Sequence, residues 1–183
     1  MQFNKYRDMG DYHWREYSNK TAYGKHVDKL IEWIGRETDL LDIGAGDGLI
    51  VSKFPNALGI ENDKYALEIC KNKKVNVIYG DAYCLPKNKK YNNVLLGDVI
   101  EHLEFPHKCL EEIKQILNVN GNLFITTPPA RSDGKMSDTY HYIEYTPESL
   151  ENLLKTHGFK LTEKIQTIIQ YNRMYGKFCN VSF

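Results

Sequence analysis

The chain has 183 residues, 42% hydrophobic and 26% charged, which suits one compact domain with its own core. Its 24 basic and 24 acidic residues give a formal net charge of +0, so the overall attraction that would favour nucleic acid as a partner is lacking. Scattered cysteines, a polar N-terminus and no apolar run of about 18 residues argue against disulfide-rich, zinc-binding, secreted and membrane-spanning proteins, so we expect a cytoplasmic single domain, residues 1–183, without a membrane partner.

The first 20 residues mix aromatic and charged side chains without a clean helical or strand period. Tyr12, His13, Trp14 and Tyr17 would cover a bound ligand, although hydrophobic capping of a sheet edge explains the same side chains equally well. We predict that residues 1–20 form a lid. The following segment, 21–34, has apolar residues at helical spacing and ends at Gly35, which predicts an amphipathic helix.

The rest of the chain alternates short apolar runs with helical patterns, which is typical of crossover units on a parallel sheet. Predicted strands cover residues 39–43, 57–60, 75–79, 93–96 and 122–126, and predicted helices cover 49–54, 64–72, 107–117 and 147–157. Segments 159–169 and 177–183 have strand-like alternation and are expected to form a closing antiparallel pair.

A glycine-rich turn directly follows the first predicted strand. Its glycines stand at positions 44, 46 and 48, where the backbone can take up positive φ angles or lie directly against a ligand. A helix start behind the turn would offer free N–H groups, although tight strand-to-helix turns also use glycine for steric reasons alone. A dinucleotide fingerprint requires a glycine where Leu49 stands, so the spacing disfavours NAD.

Carboxylates follow the next two predicted strands. Glu61 ends the second strand, where it can accept hydrogen bonds from ribose hydroxyls, and Asp81 follows the third, where it can bond an adenine amino group. Each acid alone would be an ordinary solvated loop residue. Acids at two successive strand ends together indicate an adenosine-binding site.

These segments resemble the class I S-adenosylmethionine-dependent methyltransferases, through LLDIGAGDG at 40–48, GIEND at 59–63, YGDAYCLP at 79–86 and DVIEHLEFP at 98–106. The resemblance implies an α/β fold, a Rossmann-like three-layer sandwich with a mostly parallel seven-stranded sheet and an antiparallel last strand. It also implies S-adenosylmethionine as cofactor. The implied cofactor contacts are Asp42, Gly44 and Gly46 at the methionine side, Glu61 at the ribose, Asp81 and Ala82 at the adenine, and Asp98 beside the sulfonium. Further candidate cofactor-binding residues are Ala45, Asn62 and Tyr17.

Methyl transfer mainly requires alignment of acceptor and methyl group, exclusion of water and, for a hydroxyl or ammonium acceptor, removal of a proton. His102 is the leading candidate for a general base, with Asp98 and His141 as further catalytic candidates, although an orienting role for His102 is equally compatible with the sequence. Asp98, Glu101, His102 and His141 are also candidate ligands of a divalent metal, a pattern similar to that of metal-dependent 2′-O-methyltransferases acting on small RNAs. Asp98 stands where those enzymes have Glu, which disfavours a metal.

The sequence therefore predicts a methyltransferase acting on a small-molecule acceptor, such as the hydroxyl or amine of a sugar or phosphorylated metabolite. An RNA methyltransferase would need a basic stripe with stacking aromatic residues, and the neutral net charge argues against nucleic acid as a partner. A non-catalytic S-adenosylmethionine-binding module is the other alternative. Acceptor identity, the methylated atom and the oligomeric state stay open.

Overall fold

The computed structural model describes residues 5–168 and 172–181. By its internal contacts the chain divides into two compact units, the first ending at Asp81 and the second beginning at Ala82. We describe each unit by itself, and a single domain stays a prediction. None of the helices in the described ranges is long and apolar enough to cross a membrane.

The first unit begins with three helices, α1 (Lys5–Met9), α2 (Tyr12–Ser18) and α3 (Ala22–Ile34). The Thr21 side chain caps α3 by accepting from the Gly24 N–H, and Gly35 ends the helix with a φ of 93°. Because Val27, Leu30, Ile31 and Ile34 recur at helical spacing, α3 buries one apolar face, as its sequence predicts.

Three parallel strands follow, β1 (Leu40–Ile43), β2 (Ala57–Glu61) and β3 (Val77–Tyr79), with β2 in the middle. Between the last two runs α4 (Lys64–Lys73), whose N-terminus is capped by the Asp63 carboxylate accepting from two backbone N–H groups. The pairings of Ile43 with Ile60 and of Glu61 with Tyr79 align the carboxyl ends of these strands. The loops that follow all three strands therefore leave from one edge of the sheet.

The second unit contains β4 (Tyr91–Gly97), α5 (Pro106–Ile116), β5 (Leu117–Thr127), α6 (Pro147–Thr156), β6 (Phe159–Ile168) and β7 (Arg173–Asn180). Strands β4 and β5 are parallel, and β7 lies antiparallel to both β5 and β6. The core includes the large, fully buried side chains Leu95, Leu96, Leu110, Phe124 and Phe178. A capping box between Thr146 and Ser149 starts α6.

The described strands belong to a mixed sheet of seven strands. This confirms the predicted Rossmann-like α/β class, mostly parallel with an antiparallel last strand. The closing antiparallel pair is also confirmed, with β7 beginning at Arg173, earlier than predicted. Residues 169, 182 and 183 of the predicted pair lie outside the described residues.

One local prediction is wrong. Residues 49–54 do not form an α-helix and contain only a 3-10 turn at Val51–Lys53. Pro55 disfavours helical geometry at Phe54, which is extended with φ −120° and ψ 120°. The N-terminal segment, for which the sequence predicts no secondary structure, forms the two short helices α1 and α2.

Candidate active site

The glycine turn after β1 uses its N–H groups within the protein. Gly44 and Ala45 both donate to the Ile60 carbonyl, at 2.8 and 3.0 Å, and Gly48 donates to the Ala45 carbonyl at 3.1 Å. With no α-helix behind the turn, the expected set of free N–H donors is not formed here. The loop can still approach a ligand closely, because Gly44 is exposed and has a φ of 74°.

Glu61 ties the end of β2 to this glycine turn. Its Oε2 accepts from the Gly46 N–H at 2.7 Å, and its Oε1 accepts from the N–H groups of Asn62 and Asp63, both at 2.8 Å. Glu61 is only 8% exposed, and burial raises the pKa of its carboxyl, while these backbone hydrogen bonds act in the opposite direction. A carboxylate has about four acceptor positions. Three are filled by backbone, which leaves about one for a ligand hydroxyl, on Oε2.

Asp42 lies inside β1 and is 2% exposed. Burial, followed by the charge of Glu61, raises the pKa of Asp42 to about 8. Its Oδ2 atom is one of the buried side-chain polar atoms without a hydrogen-bond partner in the described part of the chain. Asp42 therefore carries unused hydrogen-bonding capacity next to the glycine turn.

Asp81 follows β3 at the same sheet edge as Glu61. The Gly80 N–H donates to the Glu61 carbonyl at 3.0 Å, so Asp81 is one residue away from a direct link to Glu61. Asp81 and Asn62 are both exposed to solvent. Ala82, the other predicted adenine contact, begins the second unit and is half-buried.

The N-terminal segment packs directly onto the glycine turn. Tyr6 is 8% exposed, and its hydroxyl occupies the space that a Cβ on Gly46 would require. Burial, followed by the nearby Tyr12, Glu61 and Asp47, raises the pKa of Tyr6 well above its usual value. Sequence reasoning missed Tyr6 as a site residue, because only the fold brings it to Gly46.

Asp47 anchors α2 to the same turn. Its Oδ2 accepts from the His13 N–H at 3.3 Å, its Oδ1 lies 3.3 Å from His13 Nδ1, and its carbonyl accepts from Trp14 Nε1 at 2.9 Å. Tyr17 lies elsewhere, since its hydroxyl donates to Asp28 on α3 at 2.8 Å and its ring lies beneath Lys53. The predicted lid thus reaches the glycine turn through Tyr6, His13 and Trp14, and Tyr17 packs against α3.

In the second unit, β4 ends at Gly97 and delivers Asp98, whose φ of 55° is unusual for a residue with a side chain. Asp98 Oδ2 accepts from Arg173 Nε at 2.6 Å, and Oδ1 accepts from the Thr126 hydroxyl at 3.0 Å. Arg173, which comes from β7, gives this carboxylate a fixed cationic partner. The sequence does not reveal the pair, because the two residues are 75 positions apart.

Glu101, His102 and His141 lie together in this unit. Each offers one potential ligand atom, and these atoms are all within 4.8 Å of one another. Glu101 is 1% exposed, and burial, followed by the charge of Asp98, raises its pKa to about 8. Three of the four predicted metal candidates therefore cluster, whereas Asp98 is paired with Arg173.

A parallel sheet with a glycine turn after its first strand and an acidic residue ending the second defines the class of Rossmann-like enzymes that bind an adenosine-containing cofactor. The chain matches the methyltransferase-domain family over residues 13–164. It belongs to this family and is an S-adenosylmethionine-dependent methyltransferase of class I.

The comparisons with individual proteins agree with this assignment. An uncharacterised protein of Methanocaldococcus jannaschii is 28% identical over 178 residues, covering 92% of this chain and 85% of the relative. A chain from the complex of the Haloferax volcanii Trm112 methyltransferase activator with a methyltransferase has the same fold, with a TM-score of 0.79, 12% identity and coverage of 99% and 98%.

Two further solved structures share the fold. A SAM-dependent methyltransferase from Thermotoga maritima has a TM-score of 0.77 at 17% identity, with 96% and 97% of the two chains covered. Magnesium protoporphyrin IX methyltransferase from Synechocystis, solved with bound SAH, has a TM-score of 0.72 at 15% identity, with 97% of each chain covered. At these identities the solved structures support the fold alone.

Proposed function

We propose that this protein transfers the methyl group of S-adenosylmethionine to a small-molecule acceptor, and that the first unit holds the adenosine and methionine parts of the cofactor. The observation that carries the proposal is the buried Glu61 carboxylate, fixed at 2.7 Å from the Gly46 N–H with about one acceptor position left over. A ribose hydroxyl is the complementary donor. Family membership supports the same choice of cofactor.

The hydrogen bonds within the glycine turn favour S-adenosylmethionine over a dinucleotide as cofactor. A pyrophosphate needs several free N–H donors at a helix N-terminus. Here the N–H groups of Gly44 and Ala45 donate to Ile60, and the turn is followed by a 3-10 turn. S-adenosylmethionine carries no phosphate, so a turn that offers close approach while the N–H groups of Gly44, Ala45 and Gly46 bond within the protein suits it.

The remaining cofactor contacts follow from position along the sheet edge. Glu61, with Asn62 beside it, takes a ribose hydroxyl, and Asp81 bounds the adenine. Asp42, Gly44, Ala45 and Gly46 form the methionine side. His13 and Trp14 of α2 contact the turn at Asp47, and Tyr6 of α1 lies directly on Gly46. Such rings exclude water and are attracted to a sulfonium through cation–π contact.

A small acceptor is favoured because the chain has a formal net charge of +0 and therefore no general attraction for a polyanion. Among proteins with the same fold, the Synechocystis enzyme acts on magnesium protoporphyrin IX, which is itself a small molecule. A sugar or phosphorylated metabolite with a hydroxyl or amine is the acceptor class we propose.

Calorimetry with S-adenosylmethionine, S-adenosylhomocysteine and NAD tests the cofactor, and we expect the first two to bind and NAD to give no heat. Transfer of a labelled methyl group to a fractionated metabolite pool, with transfer RNA in a parallel reaction, tests the acceptor. We expect label in a small-molecule fraction, at a rate insensitive to salt. Label confined to RNA, with a steep salt dependence, would contradict the small acceptor. Cofactor binding without transfer to any fraction would instead favour a non-catalytic module.

A further inference from the structure

A cluster of potential metal ligands is built into the backbone of the second unit. Glu101 and His102 are neighbours on a 3-10 turn, Ile100–His102. The loop that carries His141 is fastened to the same turn, because the N–H groups of Tyr142 and Ile143 donate to the Glu101 carbonyl at 2.8 and 3.4 Å. Backbone hydrogen bonds therefore hold the two segments that carry these three side chains next to each other.

His141 is held by a buried carboxylate. Its Nδ1 lies 2.7 Å from Glu144 Oε1, and the two side chains are only 5% and 3% exposed. The same oxygen accepts from the Ser137 N–H at 2.6 Å, which fixes the carboxylate in turn. A carboxylate partner keeps the proton on Nδ1 and places the imidazole lone pair on Nε2.

His102 has the same arrangement with a different partner. Its Nδ1 lies 3.0 Å from the Tyr140 carbonyl oxygen. A carbonyl can only accept, so this contact also places the proton on Nδ1 and the lone pair on Nε2. The two rings meet edge to face, with centroids 4.8 Å apart. Imidazoles that bind metal through one nitrogen commonly donate the other to a carboxylate or a backbone carbonyl, and both versions occur here.

The carboxylate of the set is Glu101. Thr127 donates to its Oε2 at 2.9 Å and so orients it. Asp98 does not complete the set, because its Oδ2 accepts from Arg173 at 2.6 Å and a cation placed there would face the guanidinium. The structure thus selects one carboxylate and two imidazoles from the four candidates in the sequence.

We propose that Glu101, His102 and His141 bind one divalent first-row transition ion, with further coordination positions open, and that Glu144 is a positioning residue for His141. Mixed imidazole and carboxylate ligands suit Mn²⁺, Fe²⁺ and Zn²⁺ better than Mg²⁺ or Ca²⁺, which prefer oxygen ligands alone. Metal–ligand bonds of about 2.0–2.2 Å place neighbouring ligands roughly 3–4 Å apart. Because the three potential ligand atoms lie within 4.8 Å of one another, they must approach by about 1 Å when an ion binds, which side-chain rotation can supply.

An ion with open positions can bind an acceptor hydroxyl and lower its pKa, which would supply the deprotonation that an O-methylation needs. This consequence rests on the proposed function. The metal site itself does not, because metal binding is measured without cofactor or acceptor.

The test is calorimetric titration of the full chain, dialysed against chelator, with Mn²⁺ and Zn²⁺, and electron paramagnetic resonance of the bound Mn²⁺. We expect saturable binding of one ion per chain. His141→Ala should abolish it, and Glu144→Gln should weaken it about 10- to 100-fold. His107→Ala, an exposed histidine on α5, is the matched control and should leave the affinity unchanged.

Thermal denaturation identifies variants that fail to fold, and His141→Gln then serves as the second variant. The proposal is overturned if the wild-type chain gives no saturable binding, or if a folded His141 variant binds Mn²⁺ and Zn²⁺ as well as the wild type. Equal affinity for Mg²⁺ would also overturn it, since two imidazole ligands should discriminate against that ion. Loss of methyl transfer with metal binding intact would refute the proposed function and leave the metal site standing.

Discussion

Substitution of Glu61 by glutamine tests the two roles of the carboxylate, which are to hold the glycine turn and to bind a ribose hydroxyl. The amide oxygen of glutamine can replace Oε1 and keep the hydrogen bonds from Asn62 and Asp63. Its NH₂ group then faces the Gly46 N–H, which donated to Oε2 at 2.7 Å in the wild-type chain. The variant therefore leaves one buried donor without an acceptor.

The expected magnitudes follow from this count. A buried N–H without a partner costs about 1–3 kcal/mol of stability. For a chain of this length each kcal/mol lowers Tm by about 2–4 °C, so Tm should fall by roughly 2–12 °C. The variant also loses the charged acceptor for a ribose hydroxyl, which is worth about 1.5–3 kcal/mol. The Kd for S-adenosylhomocysteine should rise about 10- to 100-fold.

The assay is calorimetric titration with S-adenosylhomocysteine at a temperature where circular dichroism shows the variant to be folded. Glu68→Gln is the matched control, because Glu68 is an exposed residue on α4 and undergoes the same chemical change. The control should change neither Tm nor Kd measurably. A folded Glu61→Gln chain that binds S-adenosylhomocysteine within about twofold of wild type would refute the role of Glu61, since a lost charged hydrogen bond predicts at least tenfold.

Three further predictions concern the same unit. Because the folded-state pKa of Asp42 is raised to about 8, the ionisation of Asp42 should make the protein less stable as pH rises from about 4 to 8. In denaturant titrations at several pH values, Asp42→Asn should remove about 1.4 kcal/mol per pH unit from the slope of unfolding free energy against pH. An unchanged slope would show that Asp42 is ionised throughout this pH range. Gly46→Ala should destabilise the chain by about 1–3 kcal/mol, because Gly46 has a φ of 56° and the Cβ of the alanine would meet the Tyr6 hydroxyl. The double variant Gly46→Ala with Tyr6→Phe should recover part of this loss in the same titrations. If both variants were equally unstable, the contact with Tyr6 would not be the cause. Deletion of residues 1–17 should lower kcat/KM strongly at temperatures where the truncated chain is still folded, because the segment covers the reacting groups. A truncated enzyme with full activity would exclude a lid.

Much of the fold, and the position of the candidate cofactor residues along it, could be predicted from the sequence because both depend on local period and on strand order. The placement of Glu61 and Asp81 at one sheet edge required only that two successive strands be parallel, which the pairing of Glu61 with Tyr79 confirms. The helix α6 was predictable because Thr146, Pro147 and Gly158 mark its ends in the sequence itself.

The failures share a physical cause, which is information carried by residues far apart in the chain. Helices α1 and α2 have five and seven residues and are too short to be stable alone, so contacts with Asp47, more than 30 positions away, help to hold α2 in place. Strand β5 begins at Leu117, whereas the predicted strand begins at residue 122. The prediction misses the first residues because the Asn-rich segment around Gly121 has the composition of a turn. The pairing of Leu117 with Tyr91 on β4 overrides that local preference.

The geometry of Glu61 has a consequence for how this enzyme couples cofactor binding to stability. The same carboxylate accepts three backbone N–H groups that shape the glycine turn and keeps about one position for a ligand. A ligand hydroxyl bound there adds to a hydrogen-bond network that already fixes the turn, so it reinforces the folded state and has no equivalent partner in the unfolded chain. Thermal stabilisation by S-adenosylhomocysteine should therefore be large in the wild type, and the roughly 10- to 100-fold rise in Kd in Glu61→Gln should reduce it, with ligand in excess, by about 1.4–2.7 kcal/mol. A Glu61→Gln chain with a lower Tm in the absence of ligand but an unchanged Kd for S-adenosylhomocysteine would show that the turn and the ligand site are independent.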